Sequence, residues 1–386
     1  MDQGTIPIFF ALLRSAICGT KLSESEKSEF KTEQLPAMIA IAKKHDIDNL
    51  LAFGLKKNGL MSKTDAGIDN AILKAIYIYE QLNSEYENIC KVFEAAGMPF
   101  IPLKGSVIRD YYPEAWMRTS SDIDILVSEE NSEKAANVLV NECGYVYNKK
   151  GSHDISFFTP NKMYVELHYN LVEDGLANES SSVLKSVWKT VHLRNGYNYW
   201  YEMPDEMFYF YHIAHMAKHF ENGGCGIRPF IDLWILDSIS GADRTKRDEL
   251  LEQGNLLKFA DAARNLSKKW FENGEPDNIS EQMEKFILQG GVYGSNENRI
   301  TVQQQKKGGS FKYALSKIFI PYDIIKFHYP ILQKHRWLTP IMEVRRWFKL
   351  VFCGHAKRTV KELKYNQEIS ADEAEAAKSF LSNIGL

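Results

Sequence analysis

Two hydrophobic periods divide the chain. Over residues 1–97 apolar positions recur at three- and four-residue spacing with few β-branched runs, so Pro7 to Ala16, Leu35 to Lys44, Asn49 to Lys57 and Asp69 to Ala96 read as helices. Gly97-Met98-Pro99 stops the last of them, because glycine leaves a helix through left-handed backbone and proline cannot continue it. From residue 98 the period shortens to two. Phe100 to Leu103, SDIDILV (121–127), Tyr145, Ile155 to Phe158 and Met163 to His168 predict strands, with helices over Val107 to Tyr112 and Ser132 to Cys143. Helical spacing returns at Asp205. The pattern predicts an α+β protein: a small mixed sheet with helices on one side, flanked by helical segments before and after.

At 386 residues the chain exceeds what one core usually serves. The changes of period place the boundaries: a helical subdomain over 1–97, an α/β core over 98–195, a helical subdomain closing a cleft over 196–295, and a basic, aromatic-rich helical region over 310–386. No internal repeat is visible. Gly290 to Gly309, where Gly, Asn, Gln and Lys replace apolar residues, is expected to be a flexible connection. The apolar stretch IPIFFALL is too short to span a membrane, Arg14 follows it at once and no basic segment precedes it, so it reads as an amphipathic helix rather than a signal peptide. No transmembrane segment is expected.

Composition changes the picture in two ways. The five cysteines (Cys18, Cys90, Cys143, Cys225, Cys353) are scattered and never form a Cys-x-x-Cys pair, which gives neither a disulfide framework nor a zinc signature and points to a reducing, cytoplasmic setting. The net charge of −3 conceals an asymmetry: Phe311 to Lys364 holds twelve Lys/Arg against three Asp/Glu, a local balance of +9 that leaves −12 on the remainder. Aromatics interleave with those cations at Tyr313, Phe319, Tyr322, Phe327, Tyr329, Trp337, Trp347 and Phe348. Such a surface could track a nucleic-acid backbone, tRNA included, or lie against anionic lipid. The plainer expectation is helices that dock by their aromatic face and solvate by their Lys/Arg face.

The chemistry concentrates in residues 100–127. Asp122 and Asp124 stand one residue apart in a predicted strand, so both carboxylates project from one face while Ile123, Ile125 and Val127 turn to a core. Converging carboxylates repel one another unless a cation sits between them, and a hard divalent ion completes an oxygen shell with water and substrate phosphates. Glu166 and His168 share a face of the later strand Met163 to His168, which offers a third carboxylate. Gly105-Ser106, at a strand-to-helix turn, would let backbone N–H groups approach a phosphate. Lys104 and Arg118 are the nearest cations for developing phosphate charge. His168 reads equally as a hydrogen-bonded core histidine.

Gly-Ser, then Asp-x-Asp, then a single carboxylate on a later strand resembles the nucleotidyltransferase superfamily built on the polymerase-β-type fold. The fuller wording, LKG…R-x-x-SDIDILV…Gly144-Tyr145…His153…VELHYNL, is similar to a bacterial family of uncharacterised nucleotidyltransferases, over about residues 98–172 and more loosely beyond. The fifteen residues between Ser106 and Asp122 are more than the common superfamily spacing. The resemblance implies transfer of a nucleoside monophosphate from an NTP to a hydroxyl of a small molecule, protein or tRNA. It also implies Mg²⁺ or Mn²⁺ held by Asp122, Asp124 and Glu166.

A second cluster follows at His212, His215, Lys218 and His219, then Arg228 and Asp232. Helical spacing puts the three histidines on one face, which leaves a histidine-centred metallohydrolase as a rival, although no His-Glu-x-x-His motif is present. The alternative is that this helix faces the nucleotide cleft beside His215, with Lys218 and Arg228 on phosphates and Asp232 orienting one of them. A catalytically silent nucleotide-binding module is the remaining class.

Overall fold

The computed structural model describes residues 4–61, 66–172, 179–239, 241–272, 274–292, 294–352 and 356–386. Its central sheet contains β1 (Ile101–Pro102), β2 (Asp122–Leu126), β3 (Val146–Lys150), β4 (Asp154–Phe158) and β5 (Tyr164–His168), in the order β1-β2-β5-β4-β3. β2 and β5 run parallel, and every other pairing is antiparallel. The fold is therefore α+β with a mixed sheet. A parallel pair needs a long crossover, and the chain supplies one: helix Ser132–Asn141, then the β3–β4 hairpin, before β5 returns beside β2.

Alternation decides what each face of the sheet does. Ile123, Ile125 and Val127 join Val165 and Leu167 beneath Leu82, Ile89 and Phe93 of helix Ala66–Ala95 and Ala135 and Leu139 of helix Ser132–Asn141. Each such side chain, fully buried, stabilises by about 1.5–3 kcal/mol. The opposite face of the same two strands carries Asp122, Asp124, Glu166 and His168.

A second apolar core joins the first helices to the later ones. Helices Thr5–Cys18, Leu35–Lys44 and Asp48–Lys57 pack with Asp205–Glu221, Arg228–Asp237 and Leu257–Phe271. Phe10 stacks on Trp270 with ring centroids 4.3 Å apart. Gly54 permits the close crossing of helices Thr5–Cys18 and Asp48–Lys57, since a Cβ there would lie 2.4 Å from the Leu12 carbonyl oxygen. This core brings the turn at His45-Asp46 across to the cleft.

Three expectations change. Gly290 to Gly309 is not a simple connection: helix Asn296–Lys306 forms there, capped by Ser295 Oγ accepting Asn298 N–H at 2.8 Å. It buries Ile300 and Val302, and Gln304 Nε2 donates to Asn366 Oδ1 at 3.0 Å, so a few well-placed apolar and amide groups compensate for polar composition; residue 293 of that stretch lies outside the described residues. The helix expected over Val107 to Tyr112 is Gly105–Ile108 followed by a 3-10 turn, Arg109–Tyr111. In the carboxyl-terminal region Tyr313 docks inward, but Phe311, Phe319, Trp337 and Phe348 face solvent. Among the described residues no helix is long and apolar enough to cross a membrane. Cys18, Cys90, Cys143 and Cys225 are free thiols, and Cys353 lies outside the described residues.

Candidate functional site

The parallel register sets Asp124 beside Glu166 and Leu126 beside His168. Paired residues in adjacent strands project to the same side, so the two carboxylates converge without any loop having to be placed. His168 Nε2 lies 2.8 Å from Asp124 Oδ1 and 3.4 Å from Glu166 Oε2. Lys104 Nζ donates to the same Asp124 oxygen at 3.1 Å. Lys104 reaches it from a strained backbone, φ +43°, which persists because Leu103 N–H is tied to Asp124 O at 3.0 Å.

Charge in this cluster is strongly coupled. Burial opposes ionisation of Asp124, but Lys104 and His168 outweigh it and hold the carboxyl well below the usual range. Burial likewise opposes the charge on Lys104 and His168; Asp124 in the first case, and hydrogen bonds to Asp124 and Glu166 in the second, raise both instead. Asp122 is pushed up, by burial and then by the charge on Asp124, while Ser120 Oγ donates to its Oδ1 at 2.9 Å.

These residues form the floor of a cavity of about 650 Å³, within the range of small-molecule sites. Of the residues singled out in the sequence, Lys104, Gly105, Arg118, Asp122, Asp124, Glu166, His215, Lys218, Arg228 and Asp232 all line it. Ser106 does not: it is buried behind the wall, its N–H bonded to Leu103 O at 3.2 Å and its hydroxyl without a partner among the described residues.

The pairing of the wall cations differs from the expectation. Asp232 holds Arg118 rather than Lys218 or Arg228: Arg118 Nη2 donates to Asp232 Oδ2 at 3.0 Å and Nε to Oδ1 at 3.4 Å, with Tyr112 OH on Oδ1 at 2.7 Å. Burial is offset by this pairing, so Asp232 stays lowered and Arg118 raised. Arg228 pairs instead with Asp46, from the N-terminal turn. Gly105 makes room for the arrangement, since a Cβ there would lie 2.4 Å from Arg118 Nη1.

The histidine cluster does not assemble as a metal centre. His212 Nε2 lies 2.9 Å from Pro229 O, and the His215 and His219 rings meet edge to face at 4.5 Å. Burial, then the Lys104 charge, lowers His215 well below the ordinary histidine range. Among the described residues the group able to hold an ion is Asp124, Glu166 and His168, whose ligand atoms lie within 4.8 Å of one another. Asp122 borders this group without belonging to it.

His45, Asp46 and Tyr211 also line the cavity, and nothing local in the sequence marks them. His45 is fully buried with neither ring nitrogen bonded among the described residues, and burial lowers it to about 4. The unfolded chain therefore binds a proton near pH 6.5 that the folded chain refuses until about pH 4. The stability tied to His45 is complete above pH 6.5 and lost as pH falls toward 4. We expect His45→Gln to flatten the pH dependence of urea-unfolding free energy across that window, by roughly 1–3 kcal/mol; parallel curves for the two proteins would contradict it.

A family model of uncharacterised nucleotidyltransferases matches residues 31–272, more than half of the chain and all of the candidate residues above. No curated protein and no solved structure matches. With β2 and β5 presenting their acidic residues inside that match, the chain belongs to the family of uncharacterised nucleotidyltransferases.

Proposed function

We propose that the protein transfers a nucleoside monophosphate from an NTP to a hydroxyl of an acceptor. The observation that carries this reading is the convergence of Asp124 and Glu166 on the floor of a cavity, with Lys104 beside them and Arg118, Lys218 and Arg228 in the wall. Four cations around a carboxylate cluster match the needs of a triphosphate: its anionic oxygens pair with the wall, and the reacting phosphorus sits over the floor.

The oxygen-rich floor fits a hard divalent ion. Asp124 and Glu166, with Asp122 bordering them, would hold Mg²⁺ or Mn²⁺, which would neutralise triphosphate charge and lower the pKa of the acceptor hydroxyl. Arg118, fixed in orientation by Asp232, which Tyr112 OH in turn holds, binds phosphate oxygens without having to be ordered at the moment of reaction. Lys104 supplies positive charge at the floor itself. Glu166 is the more open carboxylate, its side chain 25% exposed against 4% for Asp124, so its free oxygen takes the proton of the attacking hydroxyl. The acceptor oxygen bonds to the α-phosphorus, the bond to the bridging oxygen breaks, and pyrophosphate leaves.

The test is incubation of the purified protein with each α-labelled NTP, divalent ion and whole-cell lysate, beside the Asp122→Ala/Asp124→Ala variant. Label entering an RNA, protein or small-molecule fraction only with the wild type establishes transfer and the acceptor class. Nucleotide binding without transfer from any NTP would instead identify a silent binding module.

A further inference from the structure

Helix Thr339–Phe352 is inside out. Three of its polar groups turn to the protein: Glu343 is buried, accepts Ile320 N–H at 2.8 Å and pairs with Arg346 Nε at 2.8 Å, while Trp347 Nε1 donates to Ile318 O at 3.0 Å. Its apolar residues face out, with Ile341, Val344 and Phe348 each more than half exposed. Those positions recur at helical spacing, and Arg345, four residues after Ile341, and Lys349, four after Arg345, are exposed along the edge of the stripe. The preceding segments extend the pattern through Phe311, 77% exposed, Phe319, and Trp337, 72% exposed.

We propose that the segment Ser310–Phe352 docks on the surface of an anionic lipid bilayer. Three observations select this occupant. The first is charge: the balance of +9 between Phe311 and Lys364 complements anionic headgroups, and the −12 on the remainder turns the rest of the molecule away from them. It also argues against a second copy of the chain, because two such surfaces would repel. The second is side-chain type. Nucleic-acid surfaces set cations beside planar rings on which bases stack, whereas Ile341 and Val344 have no ring face and contribute only where acyl chains can receive them. The third is geometry: an apolar stripe flanked by Arg and Lys along an exposed helix, with Trp337 beside it, matches the headgroup boundary, where aromatic and cationic residues both gain. As no described helix can span a bilayer, the contact is peripheral. It is independent of whether the cleft transfers nucleotides.

The full chain, without nucleotide, should float with vesicles of equal parts phosphatidylcholine and phosphatidylglycerol. Binding to phosphatidylcholine alone should be weaker by at least about 10-fold. Arg345→Glu/Lys349→Glu should lose most of that preference, and Ile341→Ser/Val344→Ser/Phe348→Ser should lose binding at every salt concentration. All five positions are exposed, so both variants should keep the wild-type thermal transition, and circular dichroism checks that they have folded. Protein that stays at the bottom of the gradient with both vesicle preparations would overturn the proposal. So would a dimer that the serine variant converts to monomer, or binding to a mixed tRNA fraction that the same variants abolish while vesicles are ignored.

Discussion

Replacing Asp124 by Asn is expected to lower the rate of nucleotidyl transfer by on the order of 10³-fold or more, with a much smaller change in nucleotide binding. Asp124 is the point at which the cluster meets: Lys104 and His168 both lie on its Oδ1, and Glu166 is its neighbour across the parallel pair. Asparagine keeps the shape but removes the charge, so the floor loses its most firmly ionised carboxylate, and Lys104 and His168 lose the anionic oxygen they share. The contacts proposed between the triphosphate and Arg118, Lys218 and Arg228 would remain, which is why the loss should fall on kcat rather than KM. Single-turnover transfer of an α-labelled NTP measures the first effect and equilibrium nucleotide binding the second. Near wild-type transfer by Asp124→Asn would remove the carboxylate cluster from the mechanism.

Replacing Arg118 by Leu should destabilise the fold by about 3–5 kcal/mol. Asp232 is 1% exposed and relies chiefly on the Arg118 guanidinium for its charge balance, with Tyr112 OH as a further hydrogen-bond donor. Removing the cation leaves a buried anion in the cavity wall, where the Tyr112 hydrogen bond and nearby His212 offset only part of the cost of burial. The second substitution, Asp232→Leu on top of Arg118→Leu, should recover most of that stability while leaving transfer impaired. This separation distinguishes a residue that binds substrate from one that only holds helices together. Urea unfolding of the two variants provides the stabilities. A single-variant cost below about 1 kcal/mol would show that the pair contributes little to the fold.

Much of this site was legible in the order of residues. Alternation in SDIDILV and in MYVELH placed Asp122, Asp124 and Glu166 on one face of their strands and the isoleucines, valines and leucines on the other, because strand geometry follows directly from the period of the side chains. The helices before residue 97 were readable for the same reason. What resisted was anything set by contacts between distant segments. Asp46 and Arg228 pair across 182 positions, and Arg118 and Asp232 across 114, so no local pattern announces either partner. Gln304 and Ile300 look like loop composition until the helix they sit on meets Asn366 and its neighbours.

The sequence by itself determined the two periods, hence the α+β class, the strand faces and the identity of the acidic residues, since these depend on side-chain order and backbone geometry alone. The tertiary structure decided that β2 and β5 are neighbours in parallel register, that Lys104 and His168 balance Asp124, and which carboxylate each arginine meets. It also decided that helix Thr339–Phe352 turns its apolar stripe outward, against the usual direction. Amphipathic spacing defines two faces but not which one the protein covers; that depends on where Glu343 and Arg346 find partners, and those are the last residue of helix Ser310–Ile318 and Ile320 just beyond it.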